Sequence, residues 1–354
     1  MTTILFSTLV MALCVYLLAI ITDDYFIVSL DQISKRFNIP SNVAGASLMA
    51  MGSSAPELFI ALMALLIAGG VHGDVGIGTI VGSAIFNILV ITGVSAVVRS
   101  ASITWRVVVR DILMYTLSLA LLIGAFYDGQ ITLWEAVIFL ALYAVYIFIL
   151  FNWNAFAPDG DQDPIEVVHD EIDRERRQTG LYFRINALVS RVIGFFMGDP
   201  ARSYWRAFAV SIIFIAALSY FLVEYALVFS EALSIPPVIV ALTILAAGTS
   251  IPDLFASAVV ARQGRGDMAV ANAVGSNVFD ILIGLGLPWL LVLLVEGGTI
   301  HVGTADLFTS TLLLVGTVIL LFVFLTTGHK LSRTEGIILI ITYVLYAIWV
   351  WVGN

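Results

Sequence analysis

Long apolar stretches separated by short polar segments make up most of this chain. Ten of the stretches are long enough to form helices that cross a bilayer, since such a helix needs about 20 mostly apolar residues. The pattern therefore predicts an all-α membrane protein with ten transmembrane helices. The predicted spans cover residues 3–33, 40–68, 75–98, 108–126, 131–151, 206–232, 236–261, 268–295, 305–327 and 335–352.

The composition favours the same interpretation. Hydrophobic residues make up 60% of the 354 residues and charged residues 12%, an apolar fraction larger than the core of a soluble domain requires. Cys14 is the single cysteine, so no internal disulfide can form. Most of the net charge of −9 comes from one polar loop and does not indicate a nucleic-acid partner. We expect a multi-pass protein of a plasma or inner cell membrane, with lipid and transported cations as its partners and no obligate protein partner.

The basic residues predict the orientation of the spans. If the chain crosses the membrane ten times, all 16 lysines and arginines fall on one side. Basic residues favour the cytoplasmic side, so both termini are expected to be extracellular. The residues concerned are Lys35, Arg36, Arg99, Arg106, Arg110, Arg174, Arg176, Arg177, Arg184, Arg191, Arg202, Arg206, Arg262, Arg265, Lys330 and Arg333.

One two-part motif occurs twice. Residues 52–59 read GSSAPELF and 248–255 read GTSIPDLF, whereas 82–89 read GSAIFNIL and 275–282 read GSNVFDIL. Five predicted crossings separate the copies, so they should lie in opposite orientations, as two inverted five-helix repeats. We expect repeats at 1–151 and 206–354. The cytoplasmic loop 152–205 between them is predicted to include an interfacial helix at 181–197, where apolar residues alternate with arginines.

The motif residues carry the chemistry of a cation site. Pro56 and Pro252 lack an N–H group and interrupt helical hydrogen bonding within apolar segments. Carboxylates and hydroxyls lie around them, without a nearby thiol or imidazole, and such all-oxygen sets suit hard cations. A buried structural ion pair would instead need a basic partner at that depth, and the sequence has none. The predicted metal-binding residues are Glu57, Asp253, Asp280, Asn87, Ser53, Ser54, Thr249, Ser250, Ser83 and Ser276.

Three carboxylates in one site predict exchange. Two like charges ~4 Å apart repel by about 4 kcal/mol at an effective dielectric constant of ~20, so an empty site is unfavourable. A divalent ion with a monovalent one, or several monovalent ions, could neutralise the same acids. For the hydroxyls an alternative remains, because serine and threonine can hydrogen-bond to their own helix. Spans 1 and 6 lack motif residues, and we expect them to slide across the remaining core.

The motif residues resemble those of the sodium/calcium exchanger superfamily of cation/Ca²⁺ antiporters. GSSAPE at 52–57 and GTSIPD at 248–253 look like its two repeat signatures, and the segment from Ala261 to Trp289 is similar to the potassium-dependent branch. The resemblance implies alternating-access exchange of Na⁺ for Ca²⁺ with K⁺ coupling. It implies that the acids at positions 57 and 253 bind Ca²⁺ and Na⁺, and that the acid at position 280 is tied to K⁺.

Three other functions are weighed against this one. A proton/calcium exchanger would use the same acids, but that branch has a different signature without the Ser/Thr-Ser-x-Pro run. A cation channel is disfavoured because inverted repeats around an acidic centre are typical of transporters. An intramembrane aspartyl protease is suggested by Gly264-Arg265-Gly266-Asp267, yet Asp267 has its counterpart in Asp74, and both begin predicted spans.

Overall fold

The computed structural model describes residues 1–39, 47–48, 50–67, 72–102, 105–152, 181–264, 266–302, 304–326 and 330–352. Regular structure in this part of the chain is almost entirely helical, which agrees with the predicted all-α class. The elements are α1 (Thr2–Arg36), α2 (Ala50–Ser53), α3 (Ala55–Leu66), α4 (Gly73–Val98), β1 (Ala101–Ser102), α5 (Trp105–Ala125), β2 (Gln130–Ile131), α6 (Leu133–Phe151), α7 (Leu181–Met197), α8 (Tyr204–Leu233), α9 (Pro237–Arg262), α10 (Gly266–Phe279, continued by Asp280–Leu285 and Gly286–Glu296), β3 (Ile300–His301), α11 (Thr304–Thr326), β4 (Lys330–Leu331) and α12 (Arg333–Val352).

Eight of these helices are long and apolar enough to cross a membrane: α1, α4, α6, α8, α9, α10, α11 and α12. The other two predicted spans correspond to α2 and α3, where the 12-residue α3 is short, and to α5, whose first turns carry Arg106, Arg110 and Asp111. Residues 40–46 of the second predicted span lie outside the described residues. Within the predicted 152–205 loop, 153–180 lie outside them too, and the helix predicted at 181–197 is present as α7.

The helices divide into a buried centre and a periphery. In α4, 83% of the most apolar 18-residue window is buried inside the protein, against 22% in α6 and in α12. α9 and α10 also have more than half of that window buried. Exposed apolar side chains such as Leu5, Leu9 and Phe148 cover the peripheral helices. The helices that carry the repeated motif therefore form the centre of the fold.

Several helices contain π-helical turns. In such a turn one extra residue widens the helix, and the regular α-helical hydrogen bonding is interrupted. Two of these turns, Asn87–Ile91 and Asp280–Leu285, begin at equivalent residues of the two motif copies. Others occupy Ala241–Leu245 in α9 and Thr22–Phe26 in α1. Turns of this kind are frequent at functional sites, and here two of them start at predicted ligands.

Two short antiparallel ladders fix the directions of the helices. β1 pairs with β4, and β2 pairs with β3. α5 runs from β1 to β2, a length of about 31 Å at 1.5 Å per residue, and α11 runs back from β3 to β4. α4 ends at the first ladder, whereas α10 ends at the second. Equivalent helices of the two motif copies thus run in opposite directions.

The last helix of each half repeats the same pattern at a spacing of 200 residues. Thr132 and Ser332 each cap the N-terminus of a helix. The hydroxyl oxygen of each accepts a hydrogen bond from the backbone N–H of the glutamate three residues later, Glu135 or Glu335. The carboxylate of that glutamate accepts the backbone N–H of the capping residue, which completes a capping box. The buried positions of α6 are Ala136, Phe139, Tyr146 and Leu150, and those of α12 are Gly336, Leu339, Tyr346 and Val350. The duplication therefore extends beyond the motif segments.

α1 packs along α8, outside the central helices, and α7 is attached to both. The Tyr25 hydroxyl of α1 donates to the Ser190 carbonyl of α7 at 2.6 Å, and Arg206 of α8 donates to the Phe196 carbonyl at 2.9 Å. On the other side of α7, Val192 and Phe195 are exposed. α7 is thus attached to α1 and α8 by hydrogen bonds and also has exposed apolar side chains. Its placement at the membrane interface stays a prediction.

α4 and α9, which belong to different motif copies, pack tightly against each other at Gly82. A Cβ atom at this position of α4 would overlap the Leu242 carbonyl oxygen of α9 and would lie 2.7 Å from the Ala246 Cβ. Small residues permit such contacts between membrane helices. The absence of a side chain at Gly82 therefore brings the two motif copies into contact.

Gly82→Ala is expected to lower the melting temperature of the purified protein, because overpacking costs about 1–3 kcal/mol. The control is Gly124→Ala in α5, where an added Cβ meets nothing within 4 Å. Alanine is preferred over glycine in helices by about 1 kcal/mol, so the control should melt at or above the wild-type temperature. Fluorescence-detected size exclusion after heating measures both variants. Equal melting temperatures would contradict the tight contact at Gly82.

Candidate functional site

The two motif copies are built differently at their prolines. In the first copy the helix is interrupted at Ser54, and Pro56 and Glu57 lie in the first turn of α3. In the second copy Pro252 lies inside an uninterrupted helix. Glu57 therefore lies in the first turn of a helix, where the helix dipole favours a negative charge, whereas Asp253 lies within a helix.

The structure buries most of the predicted ligands. Eight of the ten are buried, and Glu57 and Asp280 are only 2% and 1% exposed. The other two, Ser53 and Asp253, are half-buried. They line a small cavity of about 10 Å³ together with Thr249. The ten predicted residues consequently form a buried polar centre with an adjoining cavity, which we call the central cavity.

Polar contacts in this centre join one motif copy to the other. Ser83 and Ser250 share a hydrogen bond of 2.8 Å between their hydroxyls. The Glu57 carboxyl interacts with the Thr249 side chain, and the Asp280 carboxyl with Ser54. The charge of Glu57 also acts on both Asp253 and Asp280. The structure thus brings the predicted residues of the two distant segments into one site.

Several oxygen atoms in the site have no hydrogen-bond partner. Among the described residues, the buried side-chain atoms of this kind include Glu57 Oε2, Asp280 Oδ1, Asn87 Oδ1 and Ser276 Oγ. An unsatisfied buried polar atom costs about 1–3 kcal/mol, and more when it is charged. All four atoms belong to predicted ligands and can accept a cation. The site is therefore suited to cations that would complete its bonding.

The carboxylates do not form a compact metal centre on their own. Across the described part of the chain, no three histidine, cysteine, aspartate or glutamate side chains converge closely enough to hold one metal ion. Carboxylate charge is instead spread over Glu57, Asp253 and Asp280, with hydroxyl and amide oxygens between them. Any one ion bound here would depend on neutral oxygens for part of its coordination.

Asn277 is a site residue that the sequence analysis did not single out. Asn87 donates from Nδ2 to Asn277 Oδ1 at 2.9 Å. Asn277 donates in turn to the Ala84 carbonyl at 3.1 Å and to the Tyr115 hydroxyl at 3.2 Å. Its bonds hold the amide of Asn87 with Oδ1 turned away from Asn277. The sequence offered a signal for this residue. Asn277 is a further polar residue, directly after Ser276, in an otherwise apolar segment that ends at Asp280.

α1 also contributes side chains to the lining of the central cavity, although it carries no repeated motif. Thr22 and Asp23 line the central cavity together with Asp253. Thr22 and Asp23 were not among the predicted site residues, because neither belongs to a repeated motif. An acidic pair inside a long apolar run was the available signal, since intramembrane carboxylates are usually functional.

Known proteins were compared with the chain. The family model described as sodium/calcium exchanger protein matches residues 7–152 and 203–352. The mouse sodium/potassium/calcium exchanger 4 is 30% identical, in an alignment covering 94% of this chain and 78% of the relative. The human sodium/potassium/calcium exchanger 5 is 31% identical, covering 92% and 79%.

Solved structures are similar in fold. The H⁺/Ca²⁺ exchanger CAX matches with a TM-score of 0.72 and 14% identity, over 98% of this chain and 82% of that one. The sodium–calcium exchanger NCX_Mj matches with a TM-score of 0.56 and 20% identity, over 97% and 98%. The family match covers both halves of the chain, including both motif copies. The chain therefore belongs to the sodium/calcium exchanger family, and it is an integral membrane transporter and not an enzyme.

Proposed function

We propose that this protein is a secondary antiporter that exchanges Na⁺ for Ca²⁺ with K⁺ coupling, by alternating access. The observation that carries the proposal is the buried centre in which two motif copies meet and leave four predicted ligands with unpaired oxygen atoms. The relatives named above as sodium/potassium/calcium exchangers support the choice of ions.

The proposed architecture has ten crossings in two inverted repeats, 1–151 and 206–354, with both termini extracellular. The opposite directions of α5 and α11 between the two ladders support the inversion. One ladder joins the loops that carry Arg99 and Lys330, and Arg99 donates to the Arg262 carbonyl at 3.5 Å. Basic residues of three predicted cytoplasmic loops therefore lie on one face. The loop 152–205, with α7, belongs to the same side in this arrangement.

Exchange follows from the charge of the site. Glu57, Asp253 and Asp280 act on one another electrostatically, so the site is unfavourable when all three are ionised without a cation. Ca²⁺ with K⁺, or several Na⁺ ions, would neutralise the same acids and compete for the same oxygens. Without bound ions, the protein would rarely switch the access of the site from one side of the membrane to the other. Transport in one direction is thereby linked to transport of the competing load in the other.

The proposed ligands are the ten motif residues that the sequence predicts to bind metal ions. Asn277 is proposed to position one of them, Asn87. Asn87 Oδ1 is buried and unpaired because its amide nitrogen is held by Asn277. An amide oxygen held in this way is a pre-oriented ligand. The equivalent residue of the second copy is the charged Asp280. The two copies thus offer an ion unequal ligands at equivalent positions.

Proton/calcium exchange is the second candidate, because the fold matches that of an H⁺/Ca²⁺ exchanger. That match is 14% identical and speaks for the fold alone. The driving gradient separates the two candidates. Calcium uptake into vesicles driven by an imposed proton gradient, with none driven by sodium, would favour proton exchange.

Glu57→Gln and Asp253→Asn are each expected to reduce sodium-driven ⁴⁵Ca uptake into proteoliposomes to background, because each removes a charge that offsets the cation in a dry site. Glu231→Gln serves as the control, since this carboxylate lies on the exposed surface of α8. The control should transport at the wild-type rate. Robust uptake by either site variant would remove that residue from the proposed site.

Asp280→Asn is expected to preserve calcium uptake but to abolish its stimulation by potassium, because the amide keeps an oxygen ligand and loses the charge. The measurement is initial ⁴⁵Ca uptake with external K⁺ or an equal concentration of choline. Wild-type protein measured in parallel gives the reference stimulation. A variant with full potassium dependence would contradict the role of Asp280.

Asn277→Leu is expected to raise the KM for Ca²⁺ about fivefold, because the Asn87 amide loses a hydrogen bond of about 1 kcal/mol and can rotate. The maximal rate should change little. Asn152→Leu is the matched control, as Asn152 donates only to the exposed end of its own helix. An unchanged KM, or equal changes in the two variants, would argue against a positioning role.

A further inference from the structure

The π-helical turn of α1 places polar side chains beside the predicted site. The turn spans Thr22–Phe26, in a helix that is otherwise apolar around it. Thr22 and Asp23 line the central cavity, and so do Ser53, Thr249 and Asp253 of the motif segments. No lysine or arginine is among the described residues that line this cavity. α1 therefore faces the motif helices across a cavity whose charged lining residues, Asp23 and Asp253, are both acidic.

The oxygen atoms in this cavity have the chemistry of a cation site. Thr22 is 3% exposed, and its Oγ1 has no hydrogen-bond partner. The Thr249 hydroxyl is within reach of the Leu245 carbonyl at 3.1 Å and of the Glu57 carboxyl. It donates its one proton to either of them, and the lone pairs of its oxygen remain available in both cases. The charge of Asp23 acts on Asp253. Two carboxylates and two hydroxyls thus surround a space where a hard cation would relieve the repulsion and satisfy the orphaned oxygen.

Asp24, the neighbouring residue, has a different environment. Ser190 of α7 donates to Asp24 Oδ2 at 3.4 Å, and Asp24 does not line the cavity. Adjacent residues on a helix point about 100° apart, which agrees with the different surroundings of the two aspartates. Asp23 faces the cavity, whereas Asp24 is directed toward α7. This pair provides a matched experimental contrast within one turn.

We propose that Asp23 and Thr22 of α1, with Asp253 and Thr249 of α9, form a further cation subsite, which takes Ca²⁺ or Na⁺ beside the buried residues Glu57 and Asp280. This inference rests on the exchange function proposed above and extends its site to α1. It also gives α1 a direct interaction with the transported ion. Because α1 packs along α8 outside the central helices, occupancy of the subsite would influence how these two helices sit against the core.

The test compares Asp23→Asn, Asp23→Glu, Asp24→Asn and wild-type protein. Equilibrium ⁴⁵Ca binding to purified protein and the KM of sodium-driven ⁴⁵Ca uptake are both measured. Asp23→Asn is expected to weaken binding and to raise the KM at least about tenfold, corresponding to about 1.4 kcal/mol. Asp23→Glu should recover most of the affinity, since it restores the charge. Asp24→Asn should remain within about twofold of the wild type in both measurements.

The outcomes distinguish this inference from the exchange function. Wild-type binding and KM in Asp23→Asn would overturn the subsite while leaving sodium–calcium exchange intact. If the wild type binds Ca²⁺ but shows no sodium-driven uptake, the exchange function fails and the binding measurement still decides the subsite. Should Asp23→Asn not yield folded protein, Thr22→Val removes one ligand at nearly constant volume. This variant is expected to weaken ⁴⁵Ca binding about threefold, and unchanged binding would overturn the subsite.

Discussion

Burial of carboxylates in an apolar helical core is the constraint around which this protein is organised. A carboxylate removed from water without a partner is strongly disfavoured, and a second one close to it adds repulsion. Glu57 and Asp280 are almost fully buried and act on each other, and each has an oxygen without a hydrogen-bond partner. No lysine or arginine occurs in the repeated motif segments. In our proposal, transported cations supply the missing positive charge, and their alternation is the function.

The surrounding structure follows from the need to bring these groups together from two distant segments. Gly82 allows α4 and α9 to touch, and the hydrogen bond between Ser83 and Ser250 lies one residue further along. π-helical turns begin at Asn87 and Asp280, where regular helical hydrogen bonding gives way next to the site. The periphery serves a different purpose. α6 and α12 repeat the same capping residues and buried positions, and they present apolar side chains outward.

The two halves are similar in fold and unequal in chemistry. In the repeated motif, Asn87 is equivalent to Asp280, and Ala84 is equivalent to Asn277. One half therefore contributes the neutral Asn87, whereas the other contributes a charged side chain and also Asn277, which is hydrogen-bonded to Asn87. The first helix is interrupted at Ser54, whereas its counterpart continues through Pro252. Identical halves would present identical ligands to every ion. In the proposed exchange, unequal halves would offer different positions to a divalent ion and to monovalent ions.

The sequence by itself determined the helical class, most of the helix boundaries, the duplication and two of the buried acids, Glu57 and Asp280. These properties depend on local hydropathy, on spacing and on repeated residues, all of which are read directly from one chain. The helix at 181–197 was found in the same way. Resemblance of the motif residues indicated the family, which the comparisons confirmed.

Only the tertiary structure decided which polar atoms remain unpaired and which side chains face the site. Asn277 and Ser276 look alike as polar residues in an apolar segment, but one is fully hydrogen-bonded and the other is not. Asp23 and Asp24 are adjacent and chemically identical, yet one lines the cavity and the other meets α7. Those differences arise from helix rotation, the π-helical turn and the neighbours packed against it. They involve contacts between residues more than 100 positions apart, which a single sequence does not encode in any local pattern.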